Sequence, residues 1–592
     1  MLARRTPWLK ALSVLGSVLL NACGGGGGGV ASTPPPPSAP PPAPTNITLK
    51  DLRASQSFTN DASTNTLTFD LTTKTVIAGK DASGPLTVSY DVGTNSYSIV
   101  GGGVSQTYTP TDVIENVAGE VRYKKANGSS NDYLTLVKIP YSGTVATTYV
   151  GLGFQQHNAV TGTQQDSVFT VFTYGLDTPA ASVPKSGTAA FSVDVFGLAS
   201  TPGFEPRTFQ GRGTFSTDFA AGVFATHTNL TETGLLTGNG ITGGGIELTG
   251  GGNLSASSGA FSGNILYGGV NGSVAGPLAG RFYGPTGQEL GASFSGANSS
   301  GATVSGAFTG QLDPTAQIQN LTLTNLTSEQ LFYVPFALLT TTQFDGQSGF
   351  NTSYYTTIGQ LDRQNSETFT YSPGLSNLPG GQFTINDKVA ETDPNFIAYR
   401  KTFAGQQVML ELYKPGSVNT ELALTYASLG RWSTASKTGV VTETSQVYFA
   451  YGLETPARLL SAKTGSGRYN GIVYGAGANP GQSATYDVKG TSRFDVDFSG
   501  QSYSGALALA GTGTKGTPSL DFGSYDFSGK LASYTADTAV RVTSKGIDAG
   551  ELITRFYGPN GEEIAGTFII TAPAGSAGAG TTIVGATAAK RQ

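Results

Sequence analysis

Cysteine and histidine, the side chains that most often carry nucleophilic or metal chemistry, are nearly absent from this 592-residue chain: Cys23, His157 and His227 are all it has. A histidine-only metal or haem site would need the two imidazoles to converge, and nothing in their spacing forces that. Two exposed polar histidines are the simpler expectation. No Cys–His nucleophile site can be assembled, and a Ser–His–Asp triad would have to recruit one of the same histidines without a nucleophile-elbow motif. Paired carboxylates stay open, because glycoside hydrolysis needs only two Asp or Glu residues at a suitable separation. The chain therefore reads as a non-enzyme, with no catalytic residue, metal ligand or cofactor assigned.

Cys23 has a different chemistry available. Residues 1–23 carry Arg4, Arg5 and Lys10, an apolar run over 11–20, and then Leu20-Asn21-Ala22-Cys23. Ten apolar residues are too few to span a bilayer as a helix and fit a signal peptide. The cleavage context resembles a bacterial lipobox, in which the cysteine becomes the acylated first residue of the mature chain. Each buried acyl methylene contributes about 0.8 kcal/mol, so several chains make a lasting anchor. Residues 24–45 then form a linker, flexible over the glycines 24–29 and extended over the prolines of 33–44, which spaces the body from the membrane. Gly24 after the cysteine, rather than Asp, fits sorting to the outer membrane. Pro7 interrupts the run that a twin-arginine signal would need.

Charge narrows the partners. The chain has 34 Lys plus Arg against 39 Asp plus Glu, and three of the basic residues lie in the leader, so the body is more acidic than the formal net of −5. That balance argues against nucleic acid as a partner. A weakly charged surface rich in Gly, Ser, Thr and Asn suits an exported all-β protein, and after Cys23 no thiol remains for a disulfide. Stability must come from ladder hydrogen bonds and apolar burial.

The elements that supply this come twice. NITLKDLRASQSF begins at Asn46 and NLTLTNLTSEQLF at Asn320, an offset of 320 − 46 = 274 that returns where GRFYGPTGQEL from Gly280 is matched by TRFYGPNGEEI from Thr554. This period far exceeds the roughly 20–50 residues of a solenoid repeat, so each unit can hold its own core. Strands dominate within a unit: Leu67, Phe69 and Leu71 alternate with polar residues, as do Phe494, Val496 and Phe498. Turn signals such as Ala126-Asn127-Gly128, Gly238-Asn239-Gly240 and Pro559-Asn560-Gly561 separate them. The second half of each unit adds Gly-aromatic steps (AFSG at Ala260, SFSG at Ser293, DFSG at Asp497 and Asp526), which permit the close approach of a strongly curved small barrel. Closure also removes exposed edges. The expected fold is all-β, two tandem homologous lobes, each a β-rich handle (46–140; 320–418) followed by an approximately eight-stranded antiparallel barrel (141–312; 419–592).

In each lobe the same motifs follow in order: Y-x-x-L-G (Tyr149 to Gly153; Tyr426 to Gly430), YGL-[DE]-TP (from Tyr174; from Tyr451), F-x-x-DF (from Phe215; from Phe494) and FYGP-x-G-x-E. This order resembles the lobes of the transferrin-binding protein B family of surface lipoproteins, whose C-terminal barrel is shared by factor H binding proteins. The resemblance covers nearly the whole chain after the linker. It implies a handle and an eight-stranded barrel per lobe, display on the outer face of the outer membrane, and capture of a host protein or metal carrier beside a TonB-dependent transporter. The disulfides and long charged loops of the familiar transferrin receptors are missing, so fold carries over further than ligand.

The last motif, Phe282, Tyr283, Gly284, Pro285 and Glu289 with its repeat Phe556, Tyr557, Gly558, Pro559 and Glu563, invites a reading as a site. Recurrence in both lobes favours scaffold: a Gly-Pro turn whose carboxylate satisfies turn amides or the nearby Arg281 or Arg555. Trp432, where lobe 1 has Phe154 or Gln155, is expected in core or barrel-plug packing. Recognition is better sought where the lobes differ, in a polar turn with Lys124, Lys125, Asn127 and Tyr133 and in a polar loop over 155–165. The expected function is a lipid-anchored outer-membrane protein that binds a macromolecule or metal carrier and passes it to a TonB-dependent transporter. An adhesin or surface-structural lipoprotein is the alternative. An integral barrel would need lipid-facing apolar bands and would make the anchor redundant.

Overall fold

The computed structural model describes residues 45–592 apart from 144–145, 242–244, 366–367, 376–377, 515 and 532–537. The leader, Cys23 and linker residues 24–44 lie outside the described residues. Residues 45–592 form one compact unit.

Each lobe opens with a curled sheet of nine strands. In lobe 1 the order across the sheet is Val104–Tyr108, Ser96–Gly101, Thr75–Asp91, Gln56–Asp70, Gln164–Gly175, Val150–Thr161, Ser130–Val137, Glu120–Asn127 and Val113–Asn116. In lobe 2 it is Gly381–Phe383, Thr368–Ser372, Phe350–Asn365, Gln330–Phe344, Val441–Gly452, Ala427–Thr438, Gln406–Tyr413, Phe396–Phe403 and Lys388–Val389. The central pairing joins the first long strand to one about a hundred residues later, with Ala62 opposite Phe172 and Phe336 opposite Phe449. This corrects the expected boundaries at 140 and 418. The strands over 150–175 and 427–452 belong to the handles, because they pair into the handle sheet and not into the barrel.

A barrel of eight antiparallel strands completes each lobe. In lobe 2 it runs from Ser466–Asn479 to Thr582–Arg591, and first and last strands close it with Tyr469 opposite Arg591 and Ala478 opposite Thr582. In lobe 1 Thr188–Ser200 pairs with Thr303–Leu312 to do the same, and a two-residue strand Gly240–Ile241 is appended to Val223–Gly234. Alternation decides what faces inward. Phe191, Val193 and Val195 join one barrel core, and Phe494, Val496 and Phe498 the other. Bare strand positions give the rings room: a Cβ on Gly585 would strike the Phe568 ring at 2.5 Å, and Gly306 lies likewise against Phe294. Both interiors are filled with apolar side chains, and the lobe 2 barrel turns Lys489, Arg493 and Asp495 outward. That is the inverse of a lipid-embedded barrel with a polar lumen.

The repeat is visible atom by atom. Asn46 accepts from the amides of Arg53 and Ala54 and donates to Gln56; Asn320 accepts from Thr327 and Ser328 and donates to Gln330. Thr109 and Asp112 form a capping box that Thr384 and Asp387 repeat. Trp432 is fully buried in the core of the lobe 2 handle and plugs no barrel.

Candidate functional site

The most specific motif of the chain builds the joint between handle and barrel. Where the handle sheet ends, Leu176 to Thr178 run beside the barrel strand that ends at Tyr283: the Thr178 amide donates to the Phe282 carbonyl and the Gly284 amide to the Leu176 carbonyl, both at 2.9 Å. In lobe 2 Thr455 donates to Phe556 and Gly558 to Leu453 at the same 2.9 Å. The threonine hydroxyls add bonds to the Gly284 and Gly558 carbonyls at 2.7 and 2.6 Å. YGL-[DE]-TP and FYGP-x-G-x-E are thus the two halves of one contact.

The carboxylates act across this contact. Glu289 accepts three backbone bonds, from Thr148, Tyr149 and Val150 at 2.8, 2.8 and 3.0 Å. Glu563 accepts from Thr425, Tyr426 and Ala427 at 2.7, 2.8 and 2.8 Å. Burial pushes the Glu563 carboxyl up, and the three amide donors with Lys590 pull it down. The turn amides expected as partners are taken by the preceding side chain instead: Gln288 accepts from Thr286, and Glu562 from Asn560. The guanidiniums are taken as well. Arg281 contacts Asp177 at 3.2 Å, and Arg555 contacts Glu454 at 2.6 Å, so each arginine meets the acidic position of the partner motif. The reason is strand alternation, which turns Glu289 and Arg281 to the handle side of the barrel wall.

Lys124, Lys125, Asn127 and Tyr133, expected in a polar turn, lie on the two strands of a hairpin. Glu120–Asn127 and Ser130–Val137 pair through a tight turn at Gly128, where φ is 63°. Lys124 stands opposite Tyr133, with its ammonium 5.6 Å from the ring centroid, and Lys125 reaches Asp112 at 3.6 Å. The stretch over 155–165 is also strand through Thr161, and Gln155 is buried, donating to the Tyr108 hydroxyl at 3.1 Å. His157 pairs with Asp132 at 2.7 Å in the handle, and His227 with Glu247 at 3.1 Å on the barrel. The hairpin partner of each histidine is therefore an acid on a neighbouring strand.

One feature escapes strand-by-strand reading. In the lobe 2 handle Tyr333, Tyr354 and Ile358 are about half exposed on one face of a strand pair. The 274-residue offset places Thr59 at the position of Tyr333, and comparing the two copies position by position is the signal that finds it.

Residues 462–591 match a family model described as the C-lobe and N-lobe beta barrels of Tf-binding protein B. The matched span takes in the lobe 2 barrel, which runs from Ser466 to Arg591. The structure of intact Ap-TbpB (N and C lobes) is 12% identical, over 90% of this chain and 95% of that one, with a TM-score of 0.26. The TbpB double mutant Tyr-167-Ala and Trp-176-Ala from Haemophilus parasuis Hp5 is 13% identical, covering 93% and 99%, at 0.27. Isotype 1 TbpB from serogroup B Neisseria meningitidis is 17% identical, covering 76% and 85%, at 0.24. No curated protein matches the chain.

Proposed function

We propose that this chain, whose last barrel matches those of Tf-binding protein B, is a surface lipoprotein that captures a macromolecular ligand, a metal carrier such as a transferrin-type protein, and delivers it to a TonB-dependent transporter. The match over residues 462–591 carries this reading. The duplicated handle-and-barrel body, with apolar side chains filling both barrel interiors, supports a role in water beyond the membrane. Acylation of Cys23 holds it to the outer membrane, and the linker over 24–44 gives it reach. We assign first contact to the lobe 1 hairpin with Lys124, Lys125, Asn127 and Tyr133, because a rigid paired strand presents a cation and an aromatic ring in a fixed array. The Tyr333, Tyr354 and Ile358 face gives lobe 2 a second, more apolar contact surface.

A pull-down from serum proteins with residues 46–592, and with variants altered in each lobe, tests the reading. Capture that weakens at least tenfold in Lys124→Ala/Tyr133→Ala supports the hairpin; equal capture removes it. Release of a soluble body by Cys23→Ser supports the anchor, and continued membrane association of that variant sinks it.

A further inference from the structure

A pocket lies apart from the hairpin, where the lobe 1 barrel meets lobe 2. Its volume is about 380 Å3, and its walls are Asn264 and Pro277 from lobe 1 with Thr464, Asn560, Lys463 and Arg591 from lobe 2. Asn264 donates to Asn560 across the junction at 3.2 Å. Two cations thus face one space. Among the described residues neither Lys463 nor Arg591 has a carboxylate within 4.0 Å: Lys463 donates to the Asn560 carbonyl, and Arg591 to the Ser466 carbonyl at 2.7 Å. Both sit over the Phe498 ring, at 5.0 and 5.9 Å from its centroid.

Like charges brought together in this way repel, and only packing or a counter-charge keeps them in place. Packing is evident. A Cβ on Gly467 would come within 3.0 Å of the Arg591 Nε, so the guanidinium lies down against the strand. Counter-charge is incomplete. Glu562 is the nearby acid, and it is engaged with the amide and side chain of Asn560. Burial and the charge of Arg591 lower the Lys463 pKa more than Glu562 raises it. Lobe 1 lacks the arrangement: Gln311 opposite Glu289 and Lys590 opposite Glu563 align the closing strands, which puts Leu312 where lobe 2 has Arg591.

We infer that the interlobe pocket binds a small oxyanion of the phosphate type, held by the spare donors of Lys463 and Arg591 with the Thr464 hydroxyl at its rim. Arg591 offers four N–H groups beyond the one given to Ser466, and a guanidinium fork suits two oxygens of a tetrahedral anion. An anion here would also tie the lobes together, since lobe 1 closes the pocket.

Titration calorimetry of the protein with inorganic phosphate, at ionic strength held constant with chloride, tests this. Saturable heat is expected, weakened at least tenfold in Arg591→Leu and in Lys463→Met and unchanged in Arg541→Ala, an exposed arginine that pairs with Asp548 and is not among the pocket's walls. Matched melting temperatures of the variants without phosphate exclude misfolding, since Arg591 is an exposed residue. Absence of saturable binding, or binding that survives both pocket substitutions, overturns the proposal.

Discussion

Glu289 and Glu563 show how one residue type can join two domains. Each carboxylate is almost wholly buried and accepts from three backbone N–H donors. Replacing either by Gln sets an NH2 group against those donors, and a buried donor left without a partner costs about 1–3 kcal/mol. Glu289→Gln and Glu563→Gln should each lower unfolding stability in urea by about 2–3 kcal/mol. A loss below a few tenths would show that the joint does not depend on them. Acid behaviour is set elsewhere as well. Hydrogen bonds from Ser192 and Thr315 lower the Asp313 pKa from 3.8 to about 2. A depressed carboxylate contributes stability that is complete above its unfolded pKa and lost as the pH falls from about 4 to about 2. Asp313→Asn should therefore be less stable than the parent at pH 6 and indistinguishable from it at pH 2, read by thermal unfolding. The recurrence of these glutamates was legible in the repeat. Their partners were not, because alternation tells which wall a side chain leaves and not what stands on the other side.

At the scale of elements, two turns carry backbone conformations that only glycine adopts without strain. Gly284 and Gly558 have φ of 86° and 89°, and a Cβ at either would meet a tyrosine ring, Tyr149 at 2.6 Å or Tyr426 at 2.7 Å. Gly284→Ala and Gly558→Ala should cost about 2–3 kcal/mol each in urea unfolding, from left-handed backbone and displaced ring together. A neutral outcome would mean that the joint repacks freely. Hairpin positions were readable because Asn-Gly and Pro-x-Gly signals are local. The membership of the strands over 150–175 was not. Their alternation is the same in a handle or a barrel, and only pairing with a strand a hundred residues away assigns them.

The two lobes share a fold and an apolar seam between handle and barrel, but lobe 1 adds buried polar groups to that seam. In lobe 1 Phe154 and Phe169 of the handle pack on Phe196 of the barrel, and Asn65 of the handle bonds at 2.9 Å to Thr303 of the barrel, while the Ser63 and Ser305 hydroxyls are buried without a hydrogen bond. The 274-residue offset puts Ala337 and Leu339 at the positions of Ser63 and Asn65 and Ile569 at that of Ser295, and the closing strands align Val584 with Ser305. In lobe 2 these residues lie in one apolar cluster with Leu429, Ile472 and Ala586. Apolar burial stabilises by about 25 cal/mol per Å2, whereas buried hydroxyls without partners subtract from the total. Hydrogen exchange in rising urea should show the lobe 1 handle opening below the global midpoint, and the lobe 2 handle and barrel opening together. Simultaneous opening of both lobes would contradict this. The lobes themselves are tied: Asp218 of the first barrel accepts from Thr322 and Asn325 at 3.0 and 3.2 Å, and Val223 packs into the lobe 2 cluster.

The order of residues by itself determined the duplication, the strand-rich architecture, the glycine-relieved barrels and the absence of a thiol from the body, because each follows from period, alternation or composition along the chain. Tertiary structure alone decided where handle gives way to barrel, that two motifs 108 residues apart, Tyr174 and Phe282 at their heads, are one contact, and that Lys463 and Arg591 share a pocket. These depend on which distant strands pair, and pairing is chosen by the burial and hydrogen bonding of the whole sheet at once, which no local window contains.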